Sequence, residues 1–279
     1  MRTIAHLSDI HFDYIDPAVV EGCVADVHAQ QPSLVVMSGD FTQRARAQQY
    51  KQAMAFMHRL PRPQLVVPGN HDIPLFNVIE RFAWPLRNYH KYVTKDTRPV
   101  YQDEELLVIG INTARAWTWK LDGFWKDGRI SEEQLLDIKL RSCELPASVF
   151  KVVVTHHPFI PPPGERIHGI VHGARRALDQ MEQCNIDMCL AGHLHLGYSG
   201  DVRTHHEAVK RSIISVQAGT ATSTRRRGNP PEPNAYNVIT INPDHVTIQV
   251  RAWDGGGKKF EKALRTHFSR VDGIWIRED

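Results

Sequence analysis

Short apolar runs recur along the chain, and their pattern predicts buried β-strands. The runs are near-continuous, rich in β-branched residues and often followed by Gly, Pro or Asp, as is typical of strands buried on both faces. They cover residues 3–7, 33–37, 64–67, 106–111, 151–155, 187–191, 212–216, 236–241 and 245–250. The chain is therefore expected to fold around β-sheet.

Apolar residues at helical spacing lie between the early strands and predict helices at residues 17–30, 48–60, 131–143 and 173–184. The third of these opens with SEEQ, an N-cap followed by acidic residues. Strand alternating with helix predicts βαβ units, whereas the strands that follow one another after Gly192 predict an antiparallel second half. With no internal repeat or long linker, residues 1–279 are expected to form a single domain.

The composition excludes several classes of protein. Hydrophobic residues make up 42% and charged residues 23%, as in ordinary soluble domains. The net charge of +3 is too small for a dedicated nucleic-acid binder. No apolar run approaches the roughly 18 residues that span a bilayer, and the N-terminus lacks a signal-peptide pattern. The expected location is the cytoplasm, which leaves peripheral contact with a membrane open.

The four cysteines are scattered: Cys23, Cys143, Cys184 and Cys189 form no CxxC pair. In a chain of this length that pattern favours reduced, mostly buried thiols over a disulfide framework. For the same reason, a zinc site built from cysteine thiolates is not expected.

Five short polar motifs follow predicted strands. They are SDIHF with Asp9 and His11, SGDFT with Asp40, PGNHD with Asn70, His71 and Asp72, THHPF with His156 and His157, and GHLH with His193 and His195. Ligands of an open α/β sheet bind beyond the carboxyl ends of its strands, so residues far apart in sequence can meet there. Taken singly, a Gly-Asp pair is more often a turn, and His11 more often an ordinary surface histidine.

The motifs together supply carboxylate, amide and imidazole donors and no thiolate. This donor set suits Mn, Fe, Zn or Co better than calcium or a soft metal. Seven protein ligands exceed what one open catalytic metal needs, but two metals sharing a carboxylate would use them all. Two ions about 3.5–4 Å apart form a clamp for phosphoryl transfer.

In this order, D-x-H, G-D, G-N-H-D, H-x-P and G-H-x-H resemble the calcineurin-like metallophosphoesterase superfamily. The motifs extend from Asp9 to His195, and the chain looks most like the bacterial class III 3′,5′-cyclic-nucleotide phosphodiesterases of that superfamily. The resemblance implies an αββα sandwich, in which two mixed β-sheets form four layers with flanking helices.

The same resemblance implies a role for each motif residue. The first of two divalent or trivalent metal ions would bind Asp9, His11 and His195, the second would bind Asn70, His156 and His193, and Asp40 would bridge them. His71 would face the phosphate as a charge stabiliser or general acid, and Asp72 would orient His71. A metal-bridging hydroxide would be the nucleophile.

The resemblance favours a phosphodiesterase for small-molecule substrates, with 3′,5′-cyclic nucleotides as one candidate class. The alternatives are a pyrophosphohydrolase for UDP-2,3-diacylglucosamine in lipid A synthesis and a nuclease, which the small net charge disfavours. The complete ligand set argues against a non-enzymatic scaffold. Family analogy leaves a homodimer open.

Several other residues have two interpretations at this level. His6 is expected to pack within the first strand, and His157 to be structural or to support a ligand rather than bind metal. Residues 225–227 (RRR) form either a solvated loop or an anion contact, and Arg44 either reaches a phosphate or braces a helix start. The loops at 117–128 and 159–164 are candidate apolar walls for a second ester substituent.

Overall fold

The computed structural model describes residues 1–116, 126–162, 169–206 and 209–278. Its helices are α1 (Pro17–Ala29), α2 (Ala47–His58), α3 (Val78–Ala83), α4 (Arg87–Tyr92), α5 (Glu132–Ser142) and α6 (Ala174–Gln183). Its strands are β1 (Arg2–Leu7), β2 (Leu34–Met37), β3 (Gln64–Val66), β4 (Val100–Gln102), β5 (Leu106–Gly110), β6 (Phe150–Val154), β7 (Met188–Ala191), β8 (Tyr198–Asp201), β9 (Ile214–Gln217), β10 (Ala235–Ile241), β11 (His245–Asp254), β12 (Lys259–Val271) and β13 (Ile274–Glu278).

The strands form two mixed sheets. The first has seven strands in the order β13-β12-β11-β10-β1-β2-β3, and the second has six in the order β4-β5-β6-β7-β9-β8. Strands β1, β2 and β3 are parallel to one another, as are β5, β6, β7 and β9. Strands β10 to β13 pair antiparallel, which confirms the expected change in the second half.

Three hydrophobic clusters show how the layers pack. Alternate residues of β1 belong to different clusters, because successive side chains of a strand point to opposite faces. Ala5 and Leu7 pack with α1 and α2, whereas Ile4 packs with the facing sheet. A third cluster joins the second sheet to α5 and α6. Two sheets with helices on both outer faces confirm the predicted αββα sandwich.

The helix starts follow local sequence signals. Asp16 caps α1, its carboxylate accepting from the backbone N–H of Ala18 at 2.9 Å. Ser131 is the N-cap of α5, as predicted, and it forms a capping box with Gln134: the Ser131 hydroxyl accepts from the Gln134 N–H, and the Gln134 side chain accepts from the Ser131 N–H. These bonds satisfy N–H groups that have no partner inside the helix.

The prediction that all cysteines are reduced is wrong for one pair. Cys143 and Cys184 form a disulfide, while Cys23 and Cys189 are free and buried. Cys143 and Cys184 each follow the last turn of a helix, α5 and α6, and these two helices lie against each other. Sequence spacing does not reveal such helix pairing, which is what brings the two thiols together.

Within the described part of the chain, no helix is both long and apolar enough to cross a membrane.

Candidate metal centre

The five motifs lie just beyond the carboxyl ends of β1, β2, β3, β6 and β7, as predicted. The first three strands are neighbours in one sheet, and β6 and β7 are neighbours in the other. The two sheets meet at this edge: the backbone N–H of His193, after β7, donates to Asp9 Oδ2, after β1, at 2.9 Å. The predicted metal ligands are thus brought together from both halves of the sandwich.

Five of the seven predicted metal ligands have left-handed backbone conformations. The φ angles are 52° at Asp9, 43° at His11, 55° at Asp40, 73° at His193 and 58° at His195. Residues other than glycine rarely adopt positive φ, and such strain concentrates at functional sites. Each of these residues lies within four positions of the end of a strand, and its side chain belongs to the Asp/His groups at this edge of the sheets.

The first donor cluster contains Asp9, His11 and His195. The Nε2 atoms of His11 and His195 lie 3.1 Å apart. Asp9 Oδ1 lies 3.2 Å from His195 Nε2 and 3.6 Å from His11 Nε2. Asp9 Oδ1 and His11 Nδ1 are buried, and neither has a hydrogen-bond partner among the described residues.

The second donor cluster contains Asn70, His156 and His193. Asn70 Oδ1 lies 3.0 Å from both His156 Nε2 and His193 Nδ1, and these two ring nitrogens are 3.3 Å apart. Two donors held about 2.1 Å from one ion lie about 3.0 Å apart in octahedral geometry and about 3.4 Å in tetrahedral geometry. The donor spacings in both clusters match the geometry around a single ion.

Asp40 connects the two clusters through one oxygen. Its Oδ2 lies 3.5 Å from His11 Nε2 and 3.4 Å from His156 Nε2. Its Oδ1 accepts from the backbone N–H of His71 at 2.8 Å, which fixes the carboxylate plane. A carboxylate in this position fits a ligand shared between two ions.

Backbone carbonyls orient two of the imidazoles. His156 Nδ1 donates to the Ser38 carbonyl at 2.7 Å, and His195 Nδ1 donates to the Arg225 carbonyl at 2.6 Å. A proton on Nδ1 leaves the Nε2 lone pair of the neutral ring free to bind metal. Both rings therefore present Nε2 to the cleft in the tautomer that a metal requires.

The electrostatics of the cleft favour added positive charge. Burial alone would raise the pKa of Asp40, but the surrounding imidazoles, His156 first among them, hold that pKa below its usual range. Burial alone would lower the pKa of His156, but the charge and hydrogen bond of Asp40, with Asp9 and the Ser38 carbonyl, together outweigh it and raise that pKa to about 9. A buried carboxylate is stable in its charged form only when positive charge lies beside it, so this arrangement suits the binding of cations.

Glycine is required at two of the turns by close backbone approach. At Gly39, where φ is 98°, a Cβ atom would lie 2.7 Å from His156 Nδ1. At Gly192 it would lie 1.8 Å from Ser8 Oγ and 2.5 Å from Asp9 Oδ2. Any side chain at either position would displace a donor or its support.

His71 lies beside the clusters with its ring held by an unexpected partner. Its Nδ1 donates to the Gln43 carbonyl at 2.9 Å, and its ring centroid is 4.9 Å from that of His11. The prediction that Asp72 orients this ring is wrong. The buried Asp72 carboxylate accepts backbone N–H groups from Gly69, Phe41 and Thr42, so it braces the β2 and β3 turns instead.

A cavity of about 820 Å³ opens over the two clusters. Arg44, Arg225 and Arg227 are among the residues that line it. Arg225 is half-buried rather than a solvated loop residue: its Nη1 lies 3.0 Å from Gln43 Oε1 and 3.4 Å from His71 Nε2. In the sequence, Arg225 belongs to a run of three arginines that is also typical of a solvated loop. Contact with an anion was therefore only one of two interpretations.

Other singled-out residues lie outside the donor clusters. His6 is buried in β1 and bonded to the Ser38 hydroxyl. Both ring nitrogens of His157 are engaged, one with Thr113 Oγ1 at 2.8 Å and the other with the Lys126 carbonyl at 2.7 Å. His157 thus has no ring nitrogen left for a metal, although its position is close enough for one. Of the two proposed apolar walls, residues 117–125 and 163–164 fall outside the described residues. The prediction is wrong for Phe159 and Ile160, which are buried in the cluster that joins the second sheet to α5 and α6 and do not line the cavity.

A sandwich of this type, with two joined Asp/His clusters at its strand ends, defines the class of metal-dependent phosphoesterases. The calcineurin-like phosphoesterase family model matches residues 2–197. The chain belongs to this family, which confirms the resemblance drawn from its motifs.

Two curated relatives are named for the same activity. This chain is 26% identical to the probable glycerophosphodiester phosphodiesterase GpdQ of Arcobacter nitrofigilis over 170 residues, which cover 59% of this chain and 57% of the relative. It is 36% identical to the glycerophosphodiester phosphodiesterase GpdQ of Enterobacter lignolyticus over 83 residues, which cover 25% of this chain and 29% of the relative. The chain thus matches only part of the length of each.

Solved structures support the fold. The purple acid phosphatase PPD1 of yellow lupin (Lupinus luteus) superposes with a TM-score of 0.71 at 11% identity, over 97% of this chain and 54% of that one. A dimetal phosphatase from Danio rerio superposes with a TM-score of 0.62 at 14% identity, over 94% of this chain and 98% of that one.

Proposed function

We propose that this protein hydrolyses phosphodiesters with two metal ions bound at the joined clusters. The observation that carries the proposal is the position of Asp40 Oδ2, within 3.5 Å of a donor in each cluster. Asp9, His11 and His195 would hold one ion, and Asn70, His156 and His193 the other. When bound, such a pair supplies Lewis acidity to a phosphoryl oxygen and activates water.

The chain's own residues complete the proposed site. His71 lies against His11 and lines the cavity, where its ring can stabilise charge on a phosphoryl oxygen. Protonation of a leaving group would require the imidazolium form of His71, and burial lowers its pKa to about 4. Arg225 adds a cation 3.4 Å from His71 Nε2. A guanidinium there can donate to a non-bridging phosphoryl oxygen, and the Gln43 side chain holds it in place.

Support for a diester over a monoester comes from the relatives and from the size of the cavity. Both curated relatives are named phosphodiesterases. The cavity of about 820 Å³ has room for a substituent on each side of the phosphorus. Glycerophosphodiesters therefore join 3′,5′-cyclic nucleotides as substrate candidates. No contact among the described residues specifically favours the lipid A pyrophosphate or a nuclease.

The experiment compares bis(p-nitrophenyl) phosphate with p-nitrophenyl phosphate, using chelator-treated protein reloaded with Mn, Fe, Co or Zn. The expected result is two metals per chain and a higher kcat/KM for the diester. Glycerophosphodiesters and cyclic nucleotides then rank the natural substrate classes. A clear monoester preference would make the protein a phosphatase. Two bound metals without hydrolysis of any ester would overturn the proposal and revive the scaffold alternative.

A further inference from the structure

An exposed apolar surface lies beside the cavity, and the proposed reaction does not use it. Its side chains belong to one short stretch around α3, and we call them the 76–84 surface: Phe76, Val78, Ile79, Phe82 and Trp84. The exposed fraction is 71% for Phe76 and 76% for Ile79. Single exposed apolar residues are ordinary, but five within nine residues make a patch, and patches mark interaction sites.

Helix α3 is turned with its polar side inward. Arg81 is buried, and its guanidinium donates to the Pro74 carbonyl at 2.9 Å, while Ile79 and Phe82 face outward. Asn77 caps the helix by accepting from the Glu80 N–H at 3.1 Å. Surface helices of soluble proteins normally bury their apolar stripe. The reversed orientation is anchored by specific bonds and suits contact with an apolar medium.

Basic residues lie near this surface, Arg44 in direct contact and others in the adjoining helix α4 and just after it. The Arg44 guanidinium lies 4.6 Å from the centre of the Phe76 ring. Asn88 donates to the Ala45 carbonyl at 2.9 Å, which brings the first turn of α4 next to residues 44–46. Apart from the buried Arg81, residues 74–95 carry three exposed basic residues, Arg87, Lys91 and Lys95, against one acidic residue, Glu80.

Aromatic and aliphatic side chains rimmed by Lys and Arg are the combination that binds anionic lipid surfaces. Apolar side chains enter the boundary between headgroups and acyl chains, Trp favours that boundary, and basic residues face the lipid charge. A protein partner would need an acidic rim around its own apolar patch, whereas an anionic bilayer offers both properties over any area.

The surface is continuous with the cavity. Leu75 lines the cavity next to Phe76 in sequence, and Arg44 lines the cavity while covering the Phe76 ring. A bilayer against residues 76–84 would therefore lie at the mouth of the candidate metal centre. We propose that the 76–84 surface docks the protein on an anionic phospholipid bilayer. Membrane binding requires no catalysis, so it can be tested independently of the proposed phosphodiesterase activity.

The test is sedimentation of the full chain with sucrose-loaded vesicles of phosphatidylglycerol and phosphatidylcholine in equal parts. The triple variant Phe76→Ser, Ile79→Ser, Phe82→Ser is expected to lower the partition coefficient by about tenfold or more, because it removes most of the inserted apolar surface. The matched control is Leu136→Ser, Leu140→Ser. These two side chains are also exposed, but on α5, and their replacement should leave partitioning unchanged.

Binding should also weaken in vesicles of phosphatidylcholine alone and at high salt, because both remove the electrostatic attraction. Absence of wild-type partitioning would overturn the proposal, as would equal partitioning of the triple variant and the control. Light scattering identifies the competing occupant. A wild-type dimer that becomes a monomer in the triple variant, without vesicle binding, would assign the surface to a second copy of the chain.

Discussion

Replacing Arg225 with Ala should separate substrate binding from metal binding. The substitution removes the guanidinium near His71 and Gln43 but keeps the backbone carbonyl that accepts from His195 Nδ1. The hydrogen bond that orients His195, a proposed metal ligand, therefore remains, and the variant should bind as much metal as the wild type. The cavity loses one of its described cations at the point where a phosphoryl oxygen is proposed to lie.

The size of the effect follows from the contact that is lost. A hydrogen bond to a charged group contributes about 1.5–3 kcal/mol, and each 1.36 kcal/mol is tenfold in rate. The kcat/KM for a diester should therefore fall by about 13-fold to 160-fold. Arg225→Lys should recover only part of this loss, because an ammonium lacks the planar fork of a guanidinium.

The assay is steady-state hydrolysis of bis(p-nitrophenyl) phosphate, with metal content measured on the same samples. Arg226→Ala is the matched control, since Arg226 is exposed and lines a different cavity, with Asp16 and Trp253. Added guanidinium should partly restore Arg225→Ala and leave the control unchanged. A loss below about threefold, or loss of metal in Arg225→Ala, would refute the substrate-binding role argued from the 3.4 Å contact.

Three further predictions address the ligands, the chemistry and the core. Asp40→Ala should lower metal content from two ions to one or none by elemental analysis, and retention of both would exclude the bridging position. His71→Ala should keep its metal but lose about 10²–10⁴-fold in rate; equal losses for good and poor leaving groups would rule out proton donation. Trp275→Ala should lower the free energy of unfolding by about 3–5 kcal/mol, measured by urea titration, because Trp275 is buried between the sheets and its indole N–H donates to Asp187. An unchanged urea midpoint would contradict that packing.

Residues at strand ends could be located from sequence because two independent signals coincide there. An apolar run predicts the strand, and a polar motif directly follows it, as Asp9 follows β1 and His193 follows β7. Parallel strands place their carboxyl ends at one edge of their own sheet, whereas the meeting of the two sheets at that edge is seen only in the structure. The roles of individual ligands are still predictions, which the metal-content measurements above will test.

Other features depend on contacts that leave no local pattern. His71 is oriented by the backbone carbonyl of Gln43. Every residue type offers such a carbonyl, so the sequence gives no sign of this contact, and the family resemblance implied the neighbouring Asp72 instead. The Cys143–Cys184 bond depends on two helices ending side by side. Strand β12 was missed because it alternates weakly, with mostly exposed side chains between its few buried ones.

The arrangement of donors on both sheets has a consequence for synthesis of the protein. His11 and His195, whose nitrogens lie 3.1 Å apart, are separated by 184 residues, and His195 rests on the carbonyl of Arg225. A ribosome adding 5–20 residues per second needs about 10–40 s to travel from the first of these positions to the last. During that interval β1 to β3 can already pair, but the proposed ligand set is incomplete. If the proposed ligands bind metal, both ions can be held only after the two sheets of the chain have come together.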